Sequence, residues 1–241
     1  MTPPSLLSTV HDGVLTLTLN RPDKLNAIDN DLARALLSAL AQAAADAAIR
    51  VVVLQGAGRA FCAGRDVSAP PTEDDLVLVQ AVAQAIVQQP QPVVAAVQGW
   101  TVGAGLEWML DADIVIAADS ARFKLPEASI GVFVTGGLTA TLPAAAGLAR
   151  AKALVLLGEA FTAAEAQAWG LVWRVVPTDV LAEETERVAA QLAALQPGLA
   201  GRFKKALNQI GLASFTRAIE LENEAMRALP AAGPPQQRRG D

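Results

Sequence analysis

Between Val93 and Leu110 the chain carries one formal charge, Glu107, in an otherwise apolar stretch. An isolated carboxylate there is either buried with a partner or employed in chemistry. Just before it stands Gly103-Ala104-Gly105, and a second glycine-bearing turn, Cys62-Ala63-Gly64-Arg65-Asp66, lies upstream. Each turn can present a backbone N–H with no side chain crowding it. Two such donors aimed at one point make an oxyanion hole, which stabilises charge developing on a carbonyl oxygen. A second glutamate, Glu127, follows Pro126 in a setting poor in basic partners. Two carboxylates in different surroundings can divide the roles of acid and base. Taken singly, each feature has a plainer meaning. Glu107 reads as a solvated helix residue, Glu127 as a surface carboxylate, and the 103–105 turn as close strand–helix packing.

These groups need elements to place them. The stretch Pro92 to Asp111 reads as strand (Val93 to Val97), tight turn, helix start. That shape leaves N–H groups unpaired at a helix N-terminus, where negative charge is favoured. Val51 to Leu54 reads as a buried strand leading into a loop over 56–66. Val10 to Asn20 reads as a hairpin about Asp12-Gly13, with period-two alternation from Val14 to Leu19. Helical spacing covers Asp31 to Ala48 and Thr72 to Gln88, the latter ended by Pro90 and Pro92. Asp113 to Ala117, Arg122 to Leu125 and Val172 to Val176 read as further strands, with a glycine-rich loop over Glu127 to Gly137. Thr162-Ala163-Ala164-Glu165 is a capping box, and Gly170 falls where that helix should end. Val180 to Leu195 and Gly201 to Leu229 are helical, the second broken near Gly211. Alternating strands and helices predict an α/β fold with parallel strands, followed by a helical C-terminal part. No internal repeat of fixed period is evident. The tail, 230–241, is rich in Pro, Gly, Gln and Arg and is expected to be disordered.

Composition narrows the function. The chain has 241 residues, 52% of them apolar and 18% charged, enough for one well-buried domain. A net charge of −5 argues against a nucleic-acid partner. The single cysteine, Cys62, excludes a disulfide framework and reads as a small core residue. The single histidine, His11, argues against a His-based zinc site or a Ser-His-Asp triad, and its place in the hairpin turn predicts exposure. The N-terminus lacks a signal-peptide pattern, and no apolar run approaches the roughly 20 residues of a membrane helix. A soluble cytoplasmic protein without membrane contacts is expected. Val51 to Gly58 looks like a strand running into a dinucleotide turn. Phe61 replaces the third glycine of that fingerprint, however, so a nicotinamide site is not expected.

Five segments together carry a family resemblance: Leu19 to Ala27 (LNRPDKLNA), Phe61 to Val67 (FCAGRDV), Val97 to Glu107 (VQGWTVGAGLE), Phe123 to Glu127 (FKLPE) and Phe161 to Ala166 (FTAAEA). In order and spacing they resemble the enoyl-CoA hydratase/isomerase (crotonase) superfamily, from about Val10 to Leu229. The resemblance implies a crotonase-like spiral of ββα/βαβ units over 1–195 and a helical trimerisation region over 196–229. It implies an acyl-CoA substrate, no separate cofactor and no metal, and a homotrimer or dimer of trimers in fatty acid metabolism. It places the oxyanion-hole donors on Arg65 and Ala104, the catalytic pair on Glu107 and Glu127, and coenzyme A contacts at Lys24, Ala27, Ala63 and Val67. The implied reaction hydrates a trans-2-enoyl-CoA, with Glu127 as the acid to the α-carbon and Glu107 sharing the water.

The chain also departs from that pattern. Val132 to Gly137 occupies a place where hydratases carry a proline and a Gly-rich run, with Val134 at the proline position and one glycine fewer. In the family this segment borders the acyl site, so substrate choice is open. Trp100 and Trp108 flank the catalytic turn and read either as pocket walls or as core. Asp66 and Asp111 read as caps or ion-pair partners. Lys204 and Lys205 read either as contacts to coenzyme A phosphates or as a solvated helix face. Alternative chemistries on the same scaffold are double-bond isomerisation, thioester hydrolysis and decarboxylation. A non-catalytic acyl-CoA binder is the alternative outside catalysis.

Overall fold

The computed structural model describes residues 3–68 and 72–229. The expected disordered tail, 230–241, lies outside the described residues. Strands β1 (Leu6–His11) and β2 (Val14–Leu19) form the expected hairpin. Helix α1 (Asn30–Ala45) follows, its N-terminus capped by Asp29, which accepts from the Leu32 N–H at 2.8 Å. Then come β3 (Val51–Gly56), β4 (Ala60–Cys62), α2 (Glu73–Gln88), β5 (Val93–Val97), β6 (Trp100–Val102), α3 (Ala104–Leu110), β7 (Ile114–Ala118), β8 (Arg122–Lys124) and the one-turn α4 (Glu127–Ile130). The rest is α5 (Leu138–Ala146), α6 (Leu148–Leu157), β9 (Phe161–Thr162), α7 (Ala163–Ala168), β10 (Arg174–Val176), α8 (Leu181–Ala193), α9 (Leu199–Gly211) and α10 (Phe215–Ala228). The capping box at Thr162 and Glu165 opens α7, and a matching box at Thr72 and Asp75 opens α2.

Six strands make the larger sheet, in the order β1-β2-β3-β5-β7-β10, parallel from β2 onward. The smaller sheet runs β4-β6-β8-β9. The chain therefore repeats one move three times. A strand is laid in the large sheet (β3, β5, β7), the next in the small sheet (β4, β6, β8), and a helix follows (α2, α3, α4). This is the spiral. The large-sheet strands start at Val51, Val93 and Ile114, unequal intervals that hide the repeat from a search for a fixed period.

The apolar runs of the large sheet are buried on both faces, as parallel strands between layers must be. Val52, Leu54, Ala95, Val97 and Ala117 point into the main core, while Val51, Val53, Val94, Ala96, Ile116 and Ala118 pack against α8 through Leu181, Val188 and Ala189. Each fully buried Val, Leu or Ile here is worth about 1.5–3 kcal/mol relative to exposure. The small sheet is pinned by Phe61, Phe123 and Phe161, the latter two stacked at 5.3 Å.

Three expectations change. The stretch 56–66 is not one loop, because Ala60–Cys62 pairs with β6 across the fold. The segment from Glu127 opens with a helical turn rather than a loop. Lys204 is buried, donates to the Ile86 carbonyl at 2.9 Å and pairs with Asp113 at 2.8 Å, so its ammonium is committed to structure. Lys205 beside it is exposed.

Candidate active site

The helix bearing Glu107 begins where β6 ends. Gly103 caps it with φ +52°, a backbone that side-chain-bearing residues rarely adopt. The first turn is closed by Leu106 and Glu107, whose N–H groups donate to the Gly103 carbonyl at 2.8 and 3.0 Å. The Ala104 and Gly105 N–H groups precede those bonds, at the end of the helix where donors have no intrahelical acceptor. The second turn arrives alongside. Ile28 donates to the Gly64 carbonyl and accepts from the Asp66 N–H, both at 2.8 Å, so the Arg65 N–H turns away from Ile28. A Cβ built on Gly64 would lie 3.6 Å from the Ala104 nitrogen, which sets the Arg65 turn beside the start of α3.

A cavity of about 380 Å³ opens here. Ala63, Arg65, Val67, Ala104, Glu107 and Glu127 all line it, so six of the eight expected site residues converge. Lys24 and Ala27 do not line it. They lie on the neighbouring segment, held against the 63–66 turn by the Ala63 N–H to the Leu25 carbonyl and by Arg21. The Arg21 side chain donates to the Ala27 carbonyl and pairs with Asp66 at 3.0 Å. Ser68 and Arg21 together hold the Asp66 carboxyl down to about 2. The rest of the cavity wall is mostly apolar, with Leu76 and Val79 of α2, Val132 and Phe133, and Met226 and Leu229, beside the polar Thr72, Asp75 and Thr135. Arg227 and Glu73 pair at its rim. Neither tryptophan forms a wall. Trp108 is fully buried with its indole N–H on the Val79 carbonyl, and Trp100 stands half-exposed at the start of β6. Val134, at the family's proline position, is buried in the core.

Both glutamates are buried, Glu107 at 1% exposure and Glu127 at 7%. Burial, with Glu127's charge adding to it, pushes the Glu107 carboxyl up to about 8. Burial raises Glu127 to about 7. Their partners differ. Glu107 is gripped at both oxygens by Thr135, whose N–H donates to Oε1 at 2.8 Å while its hydroxyl bonds Oε2. Glu127 Oε2 is buried with no hydrogen-bond partner among the described residues. The two carboxylates also rest on each other's glycines. A Cβ on Gly103 would lie 2.6 Å from Glu127 Oε1, and one on Gly136 (φ +67°) would lie 2.8 Å from the Glu107 Cβ.

Three supporting residues escaped the sequence reading: Thr135, Gln80 and Glu222. Gln80 Oε1 accepts from the Gly136 N–H at 2.8 Å, and Glu222 accepts from the Gly137 N–H, the Thr139 N–H and the Thr139 hydroxyl, each at 2.8 Å. A signal for Glu222 was present. It follows Phe215, Ala218 and Ile219 on the buried face of α10, so a carboxylate occupies a core-facing helical position. Asp111 is the C-cap of α3, its backbone N–H donating to the Glu107 carbonyl at 3.1 Å, but it forms no ion pair among the described residues. It is buried, both its oxygens lack hydrogen-bond partners among the described residues, and burial raises it well above the carboxylate range. No cluster of three or more metal-ligating side chains occurs among the described residues, and none of their helices is long and apolar enough to cross a membrane.

The spiral of strand pairs carries one buried carboxylate at a small-residue helix start and a second on the facing segment, and residues 9–232 match the enoyl-CoA hydratase/isomerase family. The chain belongs to that family, the crotonase superfamily. It is 37% identical over 232 residues to the 1,2-epoxyphenylacetyl-CoA isomerase of Escherichia coli, covering 92% of this chain and 88% of that protein. It is 35% identical over 222 residues to the 2,3-dehydroadipyl-CoA hydratase of the same organism, covering 90% and 87%. The crystal structure of an enoyl-CoA hydratase from Mycobacterium avium subsp. paratuberculosis superposes with a TM-score of 0.90 at 36% identity, covering 94% of each chain. The protein is thus an enzyme of acyl-CoA chemistry.

Proposed function

We propose that this protein is an enoyl-CoA hydratase, adding water across the double bond of a trans-2-enoyl-CoA to give the 3-hydroxyacyl-CoA. The observation that carries this reading is the pair of buried carboxylates, Glu107 and Glu127, facing one apolar-walled cavity with displaced acidities and unlike partners. The thioester carbonyl accepts from the N–H groups of Arg65 and Ala104. The two raised carboxyls share a proton, and in the form with that proton on Glu127, Glu107 takes a proton from water as the water oxygen bonds to the β-carbon. The π-electron pair moves onto the α-carbon and thioester oxygen as an enolate, and protonated Glu127 delivers its proton to the α-carbon. Each N–H donor to the developing oxyanion contributes roughly 3 kcal/mol of transition-state stabilisation. The apolar wall takes the acyl chain. The coenzyme A portion runs past Ala63 and Val67 toward Lys24 and Ala27, and the substrate itself carries the only coenzyme required. Exposed Phe203, Leu207 and Ile210 on α9 support assembly into a trimer or dimer of trimers. The absence of a membrane-crossing helix among the described residues is consistent with a cytoplasmic setting.

Mass spectrometry after incubation with short, long and aryl-substituted 2-enoyl-CoA thioesters tests the reading. A gain of one water on a panel member is the expected result. Free acid, a shifted double bond or an inert panel overturns it. Double-bond migration is the second reading, favoured by the engagement of both Glu107 oxygens with Thr135, which leaves Glu127 the freer proton carrier. Solvent deuterium entering the product without gain of water would select it.

A further inference from the structure

Thr135 stands in the segment where this chain departs from the family pattern, and it is the residue that touches Glu107 at both oxygens. Its backbone N–H can only donate, which fixes the Oε1 side. Its hydroxyl can donate to an ionised carboxylate, which favours the charged form. Around it the loop is pinned from two helices, by Gln80 of α2 on Gly136 and by Glu222 of α10 on Gly137 and Thr139. Gln80 is tied in turn to Asn223 of α10 at 3.0 Å. The contact therefore belongs to an anchored frame rather than to a swinging side chain.

We propose that Thr135 is a positioning residue, whose hydroxyl fixes the plane of the Glu107 carboxylate and favours its ionised form so that Glu107 serves as the base toward water. This rests on the hydratase reading. The charged groups that act on Glu107 otherwise oppose its ionisation, Glu127 from α4 and Glu222 from α10, while Asp111 at the end of its helix is itself raised by burial and by Glu107. Lys204 of α9 is the nearby cation. It pairs with Asp113 and acts on Asp111. Burial works in the same direction as these two acids and is the largest cause. Thr135 supplies the hydrogen bonds that work against it.

Thr135→Val keeps the shape and the backbone N–H but removes the hydroxyl, and Thr135→Ser keeps the hydroxyl. Two readouts are taken on the full chain: the pH profile of kcat/KM on the hydrated substrate, and the titration of the Glu107 side-chain carboxyl by 13C NMR, assigned with Glu107→Gln. In the valine variant the Glu107 titration and the acidic limb of the profile both move up by about one pH unit. Turnover falls about tenfold or more, KM changes less than twofold, and serine restores the wild-type values. Should the valine variant not fold, Thr135→Ala gives the same comparison. An unmoved titration in the valine or alanine variant, or a serine variant no better than valine, overturns the proposal even where hydration itself is observed. The NMR titration needs no turnover. A shifted titration in a protein that hydrates nothing therefore removes the hydratase reading and leaves the Thr135 grip on Glu107 established, while its use toward water falls with that reading.

Discussion

The helix start at Gly103 to Leu110 and the segment Pro126 to Gly137 face each other across one cavity, and each carries one buried glutamate. They hold them in opposite ways. Glu107 projects from a regular helix and is fixed at both oxygens by the facing segment. Glu127 opens a single helical turn and keeps one buried oxygen without a hydrogen-bond partner among the described residues. The held carboxylate suits a base that must stay in one place. The unpaired one suits an acid that gives up and regains a proton. Each segment also supplies the glycine on which the other's glutamate rests, so neither segment is complete alone.

The largest expected effect comes from removing the proton carrier. Glu127→Gln should lower kcat by about 10²- to 10⁴-fold and abolish exchange of the α-proton with heavy water. Glu107→Gln should lower hydration by a similar order while leaving α-proton exchange measurable. Equal loss of exchange in both variants would erase the division between the segments. Next come the exchanged glycines. Gly103→Ala lies in the Glu107 segment but should act through Glu127, and Gly136→Ala should act through Glu107, each with kcat down by about 10²-fold from a displaced carboxylate. Swapped phenotypes in the exchange assay would contradict the reciprocal packing. Smaller again is Glu222→Gln. It removes an acceptor from a site of three donors, and is expected to cost about 1–3 kcal/mol in a denaturant melt and several-fold in kcat.

The smallest effect is on stability against pH. Both buried carboxyls, Glu107 and Glu127, are raised above the unfolded value of about 4.3. Between these values the folded state binds more protons than the unfolded chain. The stability they confer is complete below about pH 4 and is lost as pH rises through about 7 and 8. Thermal melts at pH 5 and pH 8.5 should show the wild type losing stability relative to Glu127→Gln, by about 1–2 kcal/mol. A rising wild-type curve over that range would mean that the two carboxylates are not buried as described.

Much of this was legible along the chain because it is local. The β5 run, the helix start at Gly103, the capping box at Thr162 and the hairpin at Asp12-Gly13 each depend on neighbours within a few residues. Of the small sheet only β8 was legible, as the short strand from Arg122. β4, β6 and β9 have two or three residues each, too short to show alternation, and exist because Ala60 meets Trp100 and Phe123 meets Phe161 across the fold. In the site, Glu107 and Glu127 showed themselves as carboxylates in unusual settings. Gln80 and Glu222 did not, because their roles depend on helices 56 and more residues away from the loop they hold. Trp100 and Trp108 illustrate the same limit. Their position beside the turn was visible in the sequence, but which of them is buried depends on how α2 lies over α3.

The sequence by itself determined the two carboxylates in unusual settings, the two small-residue turns and the alternation of the longer strands and helices, because residue type and short-range spacing govern those. The tertiary structure decided that Gly103 lies under Glu127 and Gly136 under Glu107, that Thr135 grips one carboxylate, and that one oxygen of the other is buried with no hydrogen-bond partner among the described residues. Those are contacts between segments brought together by burial, and burial is a property of the whole packed chain rather than of any stretch of it.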